Sequence, residues 1–161
     1  MNQFEVSLEK ESLVFSSAHF ITFDGSICES LHGHNYRCKC RVRGTLDKNH
    51  YVVDFIALRA MLEAIADELD HHVLLPMKHE QIEVSEQEHE VVARFEDKRW
   101  VFPAEDCKLL PIENTTAELL AQWIGGQLIN RLDSKTKSSL SSIVVSVDEN
   151  YGQWATAEIS L

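Results

Sequence analysis

The stretch His32-Gly33-His34-Asn35-Tyr36-Arg37-Cys38-Lys39-Cys40-Arg41-Val42-Arg43-Gly44-Thr45 decides how this chain is read. Its even positions carry His34, Tyr36, Cys38, Cys40 and Val42, and its odd positions carry Asn35, Arg37, Lys39, Arg41 and Arg43. Successive side chains of a strand point to opposite faces, so this is a strand with one apolar and one basic face. Working back, Ser12 to Phe20 alternates in the same way, with Leu13, Phe15, Ser17 and His19 on one face. The segment between, FDGSICESLHG, is a loop rich in Gly, Ser and Asp. An antiparallel hairpin across it brings His19 beside His32 and His34, which share a face at i and i+2. Three imidazoles with no fourth protein ligand match a catalytic zinc site that keeps an open position.

Working forward, Asp54 is a candidate N-cap, and Phe55, Leu58, Leu62, Ile65 and Leu69 form a stripe at helical spacing. That helix ends near Asp70-His71-His72. Residues 77–108 read as an insertion. Glu80, Glu83, Glu86, Glu88 and Glu90 crowd its start as a solvated surface, and VVARFEDKRWVFP reads as a hairpin turning at Glu96-Asp97-Lys98. A second helix begins near Thr115, where Thr115-Thr116-Ala117-Glu118 fits a capping box, and Gly125-Gly126 inside it marks close packing. Ser134 to Ser142 reads as a polar loop, and two strands, Ile143 to Asn150 and Trp154 to Leu161, follow. The expected fold is α+β over 1–161 as one domain: a four-stranded antiparallel sheet, two helices on one face, and a small β-hairpin insertion at 77–108.

The 161 residues carry 15 Lys plus Arg against 26 Asp plus Glu, a formal net charge of −11. That balance argues against nucleic acid as partner, since a phosphate-backbone binder needs a basic footprint. No apolar run approaches the ~18 residues of a membrane span, and no signal peptide is visible, so the expected setting is the cytoplasm. Cys28, Cys38, Cys40 and Cys107 form no Cys-x-x-Cys pair and are expected to be reduced. Cys38 and Cys40 read as small buried hydrophobes. Cys28, four residues before His32, is the nucleophile or acid/base candidate, and Asp70-His71 is a carboxylate–imidazole pair able to exchange a proton with a thiol. Glu149 closes an apolar strand, where its carboxylate could accept hydrogen bonds from the N–H edge of a pterin or guanine ring.

Together these residues resemble the 6-pyruvoyltetrahydropterin synthase family, which includes 6-carboxytetrahydropterin synthase of queuosine biosynthesis. The likeness rests on Ser17-Ala18-His19, Cys28-x-x-x-His32-Gly33-His34-Asn35-Tyr36, Val53-Asp54-Phe55, Leu69-Asp70-His71, Thr116-Ala117-Glu118, and Glu149 with Trp154-Ala155. It implies a tunnelling fold (T-fold) in which sheets join into trimeric barrels and two trimers stack into a homohexamer, with Arg37, Lys39, Arg41 and Arg43 lining the tunnel. It implies zinc on His19, His32 and His34, proton transfer by Cys28, Asp70 and His71 from different subunits, and a pterin ring anchored by Glu149 with Thr116 nearby. The implied substrate is 7,8-dihydroneopterin triphosphate, and the implied reaction is a lyase step giving 6-pyruvoyl- or 6-carboxytetrahydropterin. Glu29 follows Cys28 directly, and family members with a Glu in this loop resemble enzymes that cleave the side chain to 6-hydroxymethyl-dihydropterin for folate synthesis. Asn114-Thr115-Thr116 stands where Asn-Pro-Thr is usual. A zinc- and pterin-binding module without turnover is the competing class, and a zinc hydrolase is a weaker one, for the chain lacks a His-Glu-x-x-His helix.

Overall fold

The computed structural model describes residues 2–161. Strand β1 (Phe4–His19) is longer than its alternation from Ser12 foretells. It pairs antiparallel with β4 (His32–Gly44), but the register shifts between Glu9 and Val14. Before that irregularity even positions turn inward, as at Leu8; after it odd positions do, at Leu13, Phe15, Ser17 and His19. A bulge changes parity, which hides the first half of the strand from a period-two reading. Between the two strands, β2 (Thr22–Phe23) and β3 (Ile27–Cys28) make a short hairpin.

Helix α1 (Phe55–Leu69) begins where expected: the Asp54 side chain accepts from the Ile56 N–H. Leu58, Leu62, Ile65, Ala66 and Leu69 are buried, whereas Phe55, the first member of the sequence stripe, is exposed. Then come β5 (His72–Pro76), β6 (Glu83–Gln87), β7 (Glu90–Phe95), β8 (Lys98–Pro103), a 3-10 turn at Ala104–Asp106, and β9 (Cys107–Leu110). Helix α2 (Ala117–Arg131) is capped by Thr116, whose side chain accepts from the Leu119 N–H. The cap therefore lies one residue beyond the expected box at Thr115, because Thr115 is fully buried and held by other partners. Ser134–Ser139 forms a short helix, α3, rather than a loop, capped by Asp133. Strands β10 (Leu140–Asp148) and β11 (Trp154–Ser160) end the chain.

The main sheet has the order β11-β10-β4-β1-β5-β9. Its first four strands are the expected antiparallel set, and β5 and β9 extend it in parallel, giving six mixed strands. Four-residue pairings such as β5 with β9 carry too little periodicity to be read from sequence. Helices α1 and α2 pack on one face, over Leu8, Leu13, Phe15, Tyr36, Cys38, Cys40, Val42, Ile143, Val145 and Val147. Gly125 of α2 meets Ile159 of β11, the close packing its sequence position foretells. The basic stripe lies on the opposite face. There Arg37 pairs with Asp148, Arg41 and Arg43 with Glu5, and Lys39 lies 3.9 Å over the Trp154 ring.

The insertion is a three-stranded antiparallel sheet, β6-β7-β8, not a hairpin alone. The acidic start that reads as plain surface contains β6, whose outward carboxylates mask the strand. The sheet closes a second apolar cluster with Phe20, Cys28, Leu75, Ile82, Val91, Ala93 and Phe95. Among the described residues, no helix is long and apolar enough to cross a membrane.

Candidate active site

The end of β1 and the start of β4 place the three histidines. His19 lies directly across the ladder from His32, and Ser17 from His34. All three rings meet edge to face, with centroids 4.8 to 5.2 Å apart. One nitrogen from each lies within 4.8 Å of the others.

Hydrogen bonds decide which nitrogens face inward. His19 Nδ1 lies 2.8 Å from the Thr115 carbonyl, and His32 Nδ1 lies 2.8 Å from the Ser30 carbonyl. A carbonyl only accepts, so both Nδ1 atoms carry the proton and both Nε2 atoms present lone pairs. His19 Nε2 is buried and has no hydrogen-bond partner among the described residues. His32 Nε2 and His34 Nε2 stand 3.0 Å apart. Burial, aided by the neighbouring imidazoles and opposed by the Thr115 bond, lowers the His19 pKa to about 4. The ring is therefore neutral at pH 7, the state a metal requires of its ligand. An orphaned buried acceptor aimed at two further imidazole nitrogens fits a cation, and His19, His32 and His34 could hold a metal ion.

Two carboxylates flank this group. Glu29 Oε1 accepts from the Ile21 N–H at 2.9 Å and lies 3.7 Å from His32 Nε2. Glu149 Oε1 lies 3.6 Å from His34 Nε2. Glu149 also lines a cleft of about 540 Å³ together with Ile21, Thr116, Glu118, Gln153 and Trp154. Thr116 and Glu149 thus share one cavity, whereas Glu29 sits against the histidines instead.

The Asp70-His71 pair opens elsewhere. Asp70 ends α1, and its carboxylate accepts from the Ser16 N–H at 2.7 Å and from His71 Nδ1 at 2.7 Å. The Ser16 N–H and the His71 ring hold the Asp70 carboxyl below its usual range. His71 has φ +57°, a left-handed conformation unusual outside glycine, and its backbone N–H is tied to the Ser16 carbonyl at 2.7 Å. That backbone turns the ring outward, with 83% of the side chain exposed. The cleft it borders is also lined by Ser16, Gly33, His34 and Asn35. Cys28 does not line that cleft. It is buried in the smaller apolar cluster, and burial pushes its thiol up, with Lys98 opposing and Glu29 and Glu96 adding to the rise.

Sequence reasoning missed four contributors. Thr115 supplies the carbonyl that orients His19, and Asn114 anchors the same turn through the Thr22 carbonyl at 3.1 Å. Tyr36 is fully buried, its hydroxyl 3.2 Å from His19 Nδ1. Lys98 reaches back from the insertion to the Cys28 carbonyl at 3.1 Å. Only Tyr36 carried a signal, as the next same-face residue after His34.

The model of the family 6-pyruvoyl tetrahydropterin synthase matches residues 7–159. A Methanocaldococcus jannaschii protein, provisionally named 6-carboxy-5,6,7,8-tetrahydropterin synthase, is 36% identical over 144 residues, covering 89% of this chain and 88% of that one. The structure of Plasmodium falciparum 6-pyruvoyl tetrahydropterin synthase matches all of both chains with a TM-score of 0.92 at 35% identity. The Plasmodium vivax 6-pyruvoyltetrahydropterin synthase, in a form described as a catalytic residue mutant with glutamate replaced by alanine, matches all of both chains with a TM-score of 0.92 at 32% identity. With the family model matched over residues 7–159 and these relatives matched over nearly the whole of both chains, the chain belongs to the 6-pyruvoyl tetrahydropterin synthase family of enzymes.

Proposed function

We propose that this chain is a zinc-dependent lyase converting 7,8-dihydroneopterin triphosphate to a 6-substituted tetrahydropterin, 6-pyruvoyl or 6-carboxy, with loss of triphosphate. The observation that carries the reading is the convergence of three imidazole nitrogens beside a cleft that already holds Thr116 and Glu149. In this reading His19, His32 and His34 hold the zinc, which when bound polarises side-chain hydroxyl oxygens of the substrate as a Lewis acid. The Glu149 carboxylate accepts N–H bonds from the pterin ring, and Thr116 borders the same ring. Asp70 keeps the proton of His71 on Nδ1, so that Nε2 is the exchanging nitrogen. Burial keeps Cys28 protonated near neutral pH, so the thiol meets substrate as an acid. The name of the Methanocaldococcus jannaschii relative favours the 6-carboxy product, which also loses a two-carbon aldehyde.

A specific observation favours a second reading. Glu29 stands beside His32, and the Plasmodium vivax neighbour is described as having a catalytic glutamate. With Glu29 as base, the same substrate would lose its side chain to give 6-hydroxymethyl-dihydropterin. Incubation of the zinc-loaded enzyme with dihydroneopterin triphosphate, with products read by mass spectrometry, separates all three outcomes; no turnover of this substrate would sink both readings.

We further propose a cytoplasmic homohexamer of two stacked trimers. The free thiols support the compartment, and the outer edge of β11, unpaired among the described residues, supports joining of sheets. The separation of Cys28 from the His71 cleft supports a site shared between subunits. Native mass spectrometry checks this: a monomer or a plain dimer excludes it.

A further inference from the structure

We infer that Lys98, delivered by the turn between β7 and β8 of the insertion, is a positioning residue that ties down the Cys28 loop and sets the ionisation of its thiol. This rests on the reading of Cys28 as a proton-transfer group, and it gives the insertion a task in that site.

Three observations converge. The Lys98 ammonium donates to the backbone carbonyl of Cys28 at 3.1 Å, across 70 residues of sequence. The insertion is seated on the same apolar cluster as Cys28: Trp100 stacks on Phe20 with ring centroids 4.2 Å apart, and Val91, Ala93 and Phe95 pack in that cluster. The turn carries opposed charges, with Glu96, in a left-handed conformation at φ +52°, two residues before Lys98. Burial weighs most on the thiol and raises its pKa; among charged groups Lys98 opposes that rise, and Glu29 from its own loop and Glu96 from the turn add to it. Cys107 is the other thiol packed against this cluster. A cation stabilises a thiolate and a carboxylate opposes it, so the two turn residues act in opposite directions on Cys28.

The test reads the thiol directly and does not depend on turnover. The zinc-loaded enzyme is alkylated with iodoacetamide across a pH series, and the Cys28 peptide is quantified by mass spectrometry, which separates it from Cys107. Lys98→Met should move the midpoint of the Cys28 profile up by roughly half to one pH unit, slowing alkylation about three- to tenfold at a fixed pH below it. Lys98→Arg should restore the profile, and Glu96→Gln should move it down. An unchanged midpoint in folded Lys98→Met, or a failure of Lys98→Arg to restore it, overturns the inference and leaves Lys98 a mere clasp. If Cys28→Ala keeps full turnover, the proton-transfer reading of Cys28 fails, and the alkylation result still stands or falls on its own.

Discussion

His19 Nδ1 donates to the Thr115 carbonyl across 2.8 Å, which links the end of the first long strand to the residue before the cap of the second helix. The bond commits the ring to one tautomer and leaves Nε2 as a buried, unpartnered acceptor among the described residues. The helix start therefore sets the tautomer of an imidazole on a strand 96 residues away.

From this arrangement one metal ion per chain is expected. Metal at about 100 times its dissociation constant stabilises the fold by about 2.7 kcal/mol through mass action. A thermal shift that rises with zinc and collapses with chelator should be seen in the wild type. His19→Ala should abolish the shift, and inductively coupled plasma spectrometry should find no bound metal in that variant. Cys28→Ala should keep the metal.

The left-handed backbone of His71 costs about 1–2 kcal/mol in most non-glycine residues. Its side chain is too exposed for the Asp70 pair to offset this fully. His71→Gly is thus expected to leave the denaturation midpoint unchanged or slightly higher. Turnover should fall by about 10²–10⁴-fold, the usual range for loss of a general acid or base. Equal losses of stability and activity would argue that His71 is structural.

His79 sets a pH dependence. Its Nδ1 accepts from the N–H groups of Gln81 and Ile82, each at 2.9 Å, so its Nε2 proton goes to the Thr22 hydroxyl at 2.7 Å. Protonation would break both backbone bonds. Burial lowers its pKa from 6.5, with Glu80 opposing. A lowered folded value means that the unfolded chain takes up the proton first. The stability His79 supplies is therefore full above pH 6.5 and is lost as pH falls through the folded value. The gap in urea midpoint between wild type and His79→Gln, both zinc-loaded, should narrow from pH 7.5 to pH 5.

Gly44 ends β4 where a side chain has no room: a Cβ there would meet the Ser139 carbonyl oxygen and lie 3.0 Å from Leu140 Cα. These are backbone atoms and cannot step aside cheaply. Gly44→Ala should cost about 1–3 kcal/mol by overcrowding, less the few tenths gained by stiffening the unfolded chain. Chemical denaturation checks it, and metal content should be unaffected.

Much of this molecule was legible because strands of period two and helices of period 3.6 sort their own faces. His34, Tyr36, Cys38, Cys40 and Val42 announced one face of β4 and the arginines the other. Asp54 announced the first cap, and the Cys-x-x-x-His-Gly-His run announced the histidine group. Short or interrupted patterns were silent. The parity change between Glu9 and Val14 concealed half of β1, and the two parallel strands β5 and β9 are too brief to show a period.

Alternation along β4, by itself, determined that His32 and His34 share a face, since that follows from local backbone geometry; His19 joins them through the pairing of β1 with β4. Only the tertiary structure decided what surrounds them. That His19 is oriented by Thr115, that Glu29 stands against His32 and Glu149 against His34, and that Lys98 holds the Cys28 loop are all contacts between residues distant in sequence or set by loop conformation. Such contacts arise from how elements pack, and packing leaves no periodic trace in a single chain.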